Sequence, residues 1–327
     1  MKNITIIGSG SFGCALAIHL VKNGHRVKIW SFSEEECNLI NKEKKCMFLK
    51  NVTLPENITC FTDYKSAIDG SDLILHVTPS KFFRSTLNQY KKYITTQPVL
   101  ICSKGFEHGT LLTLDEVFSS EVKNKEFGII SGPSHSAELS LGLPTALVIA
   151  SKSNVLNNFV VDLFKNDSIK TYVTNDIKGV EIGGALKNII ALCAGVISGL
   201  ELGDNALSAL ATRGLNEISK LGTILGGEKN TFYGLSGLGD LILTCISPHS
   251  RNRQAGILIA KGNSLLEVQE KVGMTIESID NLEAAYKLSK NHNLDLPIIS
   301  TAYNVIFNNL DINKAVNFLM SNHTISE

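Results

Sequence analysis

Asn3-Ile-Thr-Ile-Ile-Gly-Ser-Gly-Ser-Phe-Gly13, followed by Cys14 to Lys22 and then Arg26-Val-Lys-Ile-Trp30, is the stretch whose reading decides the fold. Residues 3–7 read as a buried strand, Cys14 to Lys22 as a helix stopped by Gly24, and residues 26–30 as a second strand. The glycines fall between the first strand and the helix, which is the context a G-x-G-x-x-G pattern needs before it means anything. Gly8 suits the tight turn, Gly10 a close approach of backbone to a pyrophosphate, and Gly13 close packing of helix on strand. The first turn of the helix then offers free N–H groups and partial positive charge to an anion. A glycine turn with no ligand is the plainer alternative, and the matched strand–turn–helix–strand setting weighs against it.

Outward from this unit, short apolar runs alternate with helical segments. Runs at 72–77, 99–102, 127–130, 145–150 and 169–173 read as strands, and Ser80 to Tyr93 as a helix. Lys42 to Lys50 reads as a solvated polar face. Such alternation predicts a doubly wound α/β sheet, parallel or mostly so, with its ligand beyond the carboxyl ends of the strands. Lys104, Gly132 and Ser134 stand just past strand ends and should face one crevice. From about Asp176 the strands disappear. Helical stretches at 177–200, 204–225, 251–261, 264–272, 278–292, 298–308 and 311–320 take over. The expected organisation is a dinucleotide-binding Rossmann-like domain over 1–175 and an all-helical substrate and catalytic domain over 176–327.

Composition narrows the function classes. Lys plus Arg and Asp plus Glu number 31 each, so bulk charge favours neither nucleic acid nor an anionic membrane surface. The cysteines at 14, 37, 46, 60, 102, 193 and 245 form no C-x-x-C pair and no metal-finger spacing. They read as small buried hydrophobes in a reducing cytosol, with no metal. Lys2 is followed by too short an apolar run for a secretory signal.

Two stretches carry candidate chemistry. Gly179 to Leu200 is as apolar as a core helix, yet Lys187 shares a face with Gly183, Ile190 and Ala194. Either its long stem carries the ammonium out to water, or Lys187 points into a closed cleft where desolvation lowers its pKa. A mid-helix lysine and several glycines argue against reading the stretch as a membrane span. The second is Gly234-Leu-Ser-Gly-Leu-Gly-Asp240, followed by Ser247-Pro-His-Ser-Arg-Asn252. Ser250 can cap a helix there while Arg251 offers a fork for phosphate. A capped surface helix with a solvated arginine is the alternative.

Several blocks in one order resemble a known family: G-S-G-S-F-G (8–13), S-K-G (103–105), S-G-P-S (131–134), G-L-P-T-A (142–146), G-G-A-L-K-N (183–188), G-L-G-D-L-I-L-T (237–244) and S-P-H-S-R-N-R (247–253). The chain is similar, nearly end to end, to the bacterial-type NAD(P)-dependent sn-glycerol-3-phosphate dehydrogenases. The resemblance implies a fold like that of 6-phosphogluconate dehydrogenase. It also implies reversible reduction of dihydroxyacetone phosphate to sn-glycerol 3-phosphate for glycerophospholipid synthesis. Lys187 is implied as proton donor and acceptor, and Lys104 as a group touching both substrate and cofactor. Asp240 is implied as the holder of substrate and lysine. Gly132, Ser134, Ser250, Arg251 and Asn252 are implied in the substrate pocket. Gly8, Gly10, Ser11, Phe12, Gly13, Ser136, Arg251 and Glu277 are implied at the cofactor. His135 and Ser136 depart from a usual Phe-Ala, Phe12 from a frequent tryptophan, and Ser278 from a glycine.

The second strand ends Ile29-Trp-Ser-Phe-Ser33 without an acid or an arginine, and Glu34 to Glu36 begin the next helix. NADP(H) or NAD(H) is expected, with a lean to NADPH taken from the resemblance. The competing enzyme reading is a two-domain hydroxyacid or ketopantoate-type dehydrogenase. The competing reading of another class is a dinucleotide sensor without catalysis. A cytoplasmic protein with a small-molecule substrate is expected, without nucleic acid or membrane insertion, and its apolar helices suit a homodimer.

Overall fold

The computed structural model of the chain describes residues 1–273 and 275–321. Its strands are β1 (Asn3–Ile7), β2 (Arg26–Trp30), β3 (Lys45–Cys46), β4 (Leu49–Thr53), β5 (Ile58–Phe61), β6 (Leu73–His76), β7 (Val99–Ile101), β8 (Phe127–Ser131), β9 (Thr145–Ala150) and β10 (Ile169–Thr174). Eight of them form one sheet in the order β10-β9-β8-β7-β6-β1-β2-β5. All neighbours are parallel except β8 and β9, which pair antiparallel through Ile130 and Ile149. The order reverses at β1, flanked by β2 and β6, and Ile7 stands level with both Trp30 and His76. Three strands therefore end together, opening a crevice at the switch point where a doubly wound sheet binds its ligand.

Helices α1 (Ser11–Lys22), α2 (Glu34–Asn38), α3 (Tyr64–Ile68), α4 (Phe83–Tyr90), α5 (Leu114–Glu121), α6 (Ser136–Leu141) and α7 (Asn154–Phe164) cover the sheet. One apolar cluster, including Ile6, Leu16, Leu20, Ile29 and Leu75, fills the side under α1. Another, around Ile74, Phe83, Tyr90 and Phe118, fills the opposite side. Strands buried on both faces explain why they read as near-continuous apolar runs.

After β10 the chain is helical: α8 (Ile177–Gly199), α9 (Gly203–Ile224), α10 (Lys229–Phe232), α11 (Asp240–Ile246), α12 (Arg251–Ala260), α13 (Leu265–Val272), α14 (Glu277–Asn291), α15 (Pro297–Phe307) and α16 (Ile312–Ser321). The fold is thus an N-terminal Rossmann-like α/β layer followed by a helical layer, as read from the sequence. By length and composition α8 could cross a membrane, but 83% of its most apolar window is buried inside the protein. It is the axis on which α9, α11, α12 and α14 pack.

Three local expectations are corrected. Residues 42–50 are not simply a solvated face, because Cys46 and Leu49 are buried and β3 pairs with β4 as a hairpin. The helix expected over 80–93 is α4 flanked by 3-10 turns at Ser80–Phe82 and Lys91–Tyr93. The cysteines are not all free. Cys37 of α2 and Cys60 of β5 form a disulfide with their Cα atoms 5.1 Å apart. Their 23-residue separation hides the pairing, which arises only when β5 docks beside β2.

Candidate active site

Lys187 lies mid-way along α8 with only 6% of its surface exposed. It does not reach bulk water. Its Nζ donates to Asp240 Oδ1 and, at 2.9 Å, to Thr244 Oγ1. Asp240 opens α11, and Thr244 is one turn later on the same face, so both project at the lysine. The other Asp240 oxygen accepts from Lys104 Nζ at 2.8 Å, across from the strand end after β7. One buried carboxylate therefore clamps two ammonium groups, one from the sheet and one from the helices.

The electrostatics follow from that clamp. Burial pushes the Lys187 pKa down, Asp240 resists, Lys104 adds repulsion, and the result is about 8. Burial would raise the Asp240 carboxyl, but Lys104 and Lys187 overcome it and hold it below its usual value. A lysine near 8 exists in both protonation states around neutral pH, as a proton-transfer group must.

The Ser250–Asn252 segment sits opposite. Buried Ser250 caps α12 by accepting from Arg253 N–H at 3.3 Å. That cap fixes the first turn, where the exposed Arg251 donates to the Thr275 carbonyl at 3.5 Å and Asn252 Oδ1 accepts from Ser278 N–H at 3.2 Å. The α12 helix reaches this place because it meets α8 at glycines. A Cβ on Gly195 would lie 2.0 Å from the Arg253 carbonyl oxygen, and one on Gly256 2.0 Å from that of Leu192. Backbones that close set the position of the Ser250–Asn252 segment relative to Lys187. Glu277, at the start of α14, accepts from Asn188 Nδ2 at 3.3 Å. Burial raises its carboxyl, against the pull of Arg251, Lys104 and Lys187, so all three cations lie at this end.

Apart from Asp240, these groups border one cavity of about 720 Å³ between sheet and helices. Of the residues expected from sequence, Gly8, Gly10, Ser11, Phe12, Gly13, Lys104, Ser134, Ser136, Lys187, Ser250, Arg251, Asn252 and Glu277 line it. Asp240 and Gly132 do not. Asp240 lies behind its two lysines, and buried Gly132 turns with φ +123° while its carbonyl accepts from Ser134 Oγ at 3.0 Å. Sequence reasoning missed Thr244, whose one signal was its place four residues after Asp240. It also missed the buried Thr78 and the half-buried His135, both on the wall. Burial, and then Lys187, lower the His135 pKa, and its Nε2 has no partner among the described residues. An unpaired buried donor or acceptor on a cavity wall is open to water or to a polar ligand.

The opposite end suits a dinucleotide. The first helical bond of α1 runs from Cys14 N–H to the Gly10 carbonyl, so the N–H groups of Ser11, Phe12 and Gly13 precede it. Gly10 supplies no side-chain cap and the first turn holds no acid. A Cβ on Gly10 would meet open space, whereas one on Gly13 would strike the Gly8 carbonyl oxygen at 2.2 Å. The loop is thus packed against itself on one side and open to the cavity on the other, as a pyrophosphate cradle is. No group of three metal-ligating side chains occurs among the described residues.

Comparison with known proteins follows the same division. The profile for the N-terminus of NAD-dependent glycerol-3-phosphate dehydrogenase matches residues 3–157, and that for its C-terminus matches 176–317. A glycerol-3-phosphate dehydrogenase [NAD(P)+] of Fusobacterium nucleatum is 44% identical over 325 residues, covering 98% of this chain and 97% of that one. One from Bacillus pumilus is 44% identical over 326 residues, covering 98% and 94%. The crystal structure of glycerol-3-phosphate dehydrogenase from Coxiella burnetii superposes with a TM-score of 0.95 at 33% identity, covering 98% and 99%.

Proposed function

The chain belongs to the NAD-dependent glycerol-3-phosphate dehydrogenase family, and from that premise we propose how its residues divide the work of reducing dihydroxyacetone phosphate to sn-glycerol 3-phosphate with NAD(P)H. The reaction is reversible, and its product enters glycerophospholipid synthesis. The observation that carries the residue assignment is the Lys104–Asp240–Lys187 clamp at the wall of the cavity.

The reduced nicotinamide, when bound, supplies a hydride to the substrate carbonyl carbon. Lys187, as the ammonium, hydrogen-bonds the carbonyl oxygen and gives it a proton as negative charge builds there. Lys104 adds a second cation, and Asp240 holds both in place. In the oxidative direction neutral Lys187 takes the proton of the secondary alcohol. Arg251, with Ser250 and Asn252, grips the phosphate, and that remote binding aligns the carbonyl with the lysine. Gly132 and Ser134 shape the substrate side. Gly8, Gly10, Ser11, Phe12, Gly13, Ser136 and Glu277 hold the dinucleotide. The apolar face of α8 keeps water from the reacting atoms.

The two competing readings separate at Arg251. A hydroxyacid or ketopantoate reductase has no phosphate for it to grip, and a sensor would not turn over. Arg251→Ala should raise KM for dihydroxyacetone phosphate roughly 100-fold, the loss of about 2–3 kcal/mol of charged hydrogen bonding. Unchanged turnover would remove the phosphorylated substrate from the account.

The division into domains at 175/176 follows the change from sheet to helices. A homodimer is supported by Leu202, Ile224, Ile242 and Ile246, exposed on the helical side, and sedimentation velocity reads it directly. The burial of α8 supports a protein that does not insert in membranes. Cytoplasmic residence fits the substrate and cofactor. In that compartment Cys37 and Cys60 would be held reduced. Alkylation under denaturing conditions after acid quenching of cells should then label all 7 cysteines, and labelling of only 5 would contradict it.

A further inference from the structure

Catalysis and phosphate binding use one end of the cavity. At the other end the wall is formed by Ser9, Trp30, Phe32, Glu36, Phe48 and Tyr64. Glu36 belongs to the helix after β2, and its carboxylate turns back towards the glycine loop. Its Oε2 accepts from Ser31 Oγ at 3.0 Å and also from Ser9 Oγ. The two serine hydroxyls are 2.7 Å apart, one just after β2 and the other inside the glycine loop. The carboxylate is thus tied to the crevice between β1 and β2 with acceptor capacity left over. Cys37, the next residue of α2, packs against Cys60 of β5 with their Cα atoms 5.1 Å apart, which holds α2 beside this end of the cavity.

Resting on the dehydrogenase reading above, we propose that Glu36 is the cofactor-specificity residue, accepting the hydroxyls of the adenosine ribose and selecting NADH against NADPH. An ionised carboxylate is acceptor only, so it suits a 2′,3′-diol and repels a 2′-phosphate. A phosphate there would also need a cation, and the lysines and arginine on the wall among the described residues are Lys104, Lys187 and Arg251. All three gather around Asp240 and Glu277 at the catalytic end. Phe32, 89% exposed at the cavity rim, offers a flat apolar face to adenine instead. This departs from the NADPH expectation because the linear sequence put Glu36 in the first turn of the next helix rather than at the end of the strand. It did not show that the side chain reaches back to Ser9 and Ser31.

Trp30, the chain's single tryptophan, lines this end and serves as the reporter. Quenching of its fluorescence on titration with NADH and with NADPH gives the two dissociation constants without turnover. The wild-type protein should bind NADH on the order of 100-fold tighter, the scale of one like-charge contact. Glu36→Gln should narrow that ratio to within a few-fold, chiefly by tightening NADPH. Equal or tighter NADPH binding by the wild type, or an unchanged ratio in Glu36→Gln, overturns the proposal and leaves the dehydrogenase reading intact. Failure of both nucleotides to bind overturns the two together. The wild-type ratio needs no variant, so a misfolded Glu36→Gln protein leaves the test decisive.

Discussion

Lys187 is held between two opposing effects, and its chemistry depends on their balance. Burial favours the neutral amine, Asp240 favours the ammonium, and the value near 8 lies where both states are populated. With the ammonium as the proposed acid in reduction, kcat/KM for dihydroxyacetone phosphate should be flat below about 8 and fall above it. Oxidation of glycerol 3-phosphate needs the amine and should rise through the same pH. Lys104, Asp240, Glu277, His135 and Cys245 are the titratable groups that face this lysine. Asp240→Asn removes the anion that supports the charged form, so the falling limb should move to lower pH. A limb that stays in place would mean that Asp240 does not act on Lys187. The lysine could be singled out in the sequence as out of place on an apolar helix. Its burial could not be read there, because Asp240 and Thr244 are more than fifty positions away along the chain.

Elements transmit these positions through close backbone packing and buried caps. Gly195→Ala would force α12 away from α8, with overpacking of about 1–3 kcal/mol. Because α12 begins with Ser250, Arg251 and Asn252, KM for dihydroxyacetone phosphate should rise roughly tenfold while NADH affinity changes less. Equal losses for both ligands would point to general unfolding instead. Glu181 shows a cap across layers. From α8 it accepts the Leu114 N–H at 2.5 Å and the Asp115 N–H at 3.4 Å, joining the catalytic helix to α5. Nothing in the order of residues announces such a partner. The strands β1, β6 and β7 were legible because double burial makes them nearly apolar, and β2 because Val27, Ile29 and Trp30 alternate with Arg26 and Lys28 just after the helix of the glycine turn. By contrast β3, β4 and β5 are short and partly exposed, with lysines within or beside them, and only their partners make them strands.

His76, at the end of β6, sets an element-level acid dependence. Burial holds its pKa down to about 3, while its imidazole bonds Tyr90 Oη at 3.0 Å and Thr78 Oγ1 at 2.6 Å. The unfolded chain therefore binds a proton that the folded one refuses between about 6.5 and 3. The contribution is complete above 6.5 and is lost as pH falls, at roughly 1.4 kcal/mol per pH unit. Glu217, raised to about 7 by burial, has the opposite slope between 4.5 and 7. Comparing urea midpoints of wild type and His76→Asn at two pH values in this window cancels that second group. The wild type should show the steeper decline, and parallel slopes would contradict the account of His76.

At the scale of the whole molecule, the cavity is where the ends of β1, β2 and β6 meet the central helix of the second layer. The glycine turn, the S-K-G and S-R-N segments and the change from strands to helices were all legible as blocks along the chain. Their convergence was not, since it depends on sheet order and on α12 lying against α8. The Cys37–Cys60 pair and the inward turn of Glu36 belong to the same class of unread facts, created when α2 folds back over β2 and β5.

The account stands most directly on Lys187 as the group that moves the proton. Steady-state loss of reduced-nicotinamide absorbance with dihydroxyacetone phosphate should be compared for wild type and Lys187→Ala, with nucleotide affinity measured on both. Lys187→Ala should lose at least roughly 100-fold in kcat with nucleotide affinity retained. Equal turnover in the two proteins would contradict it.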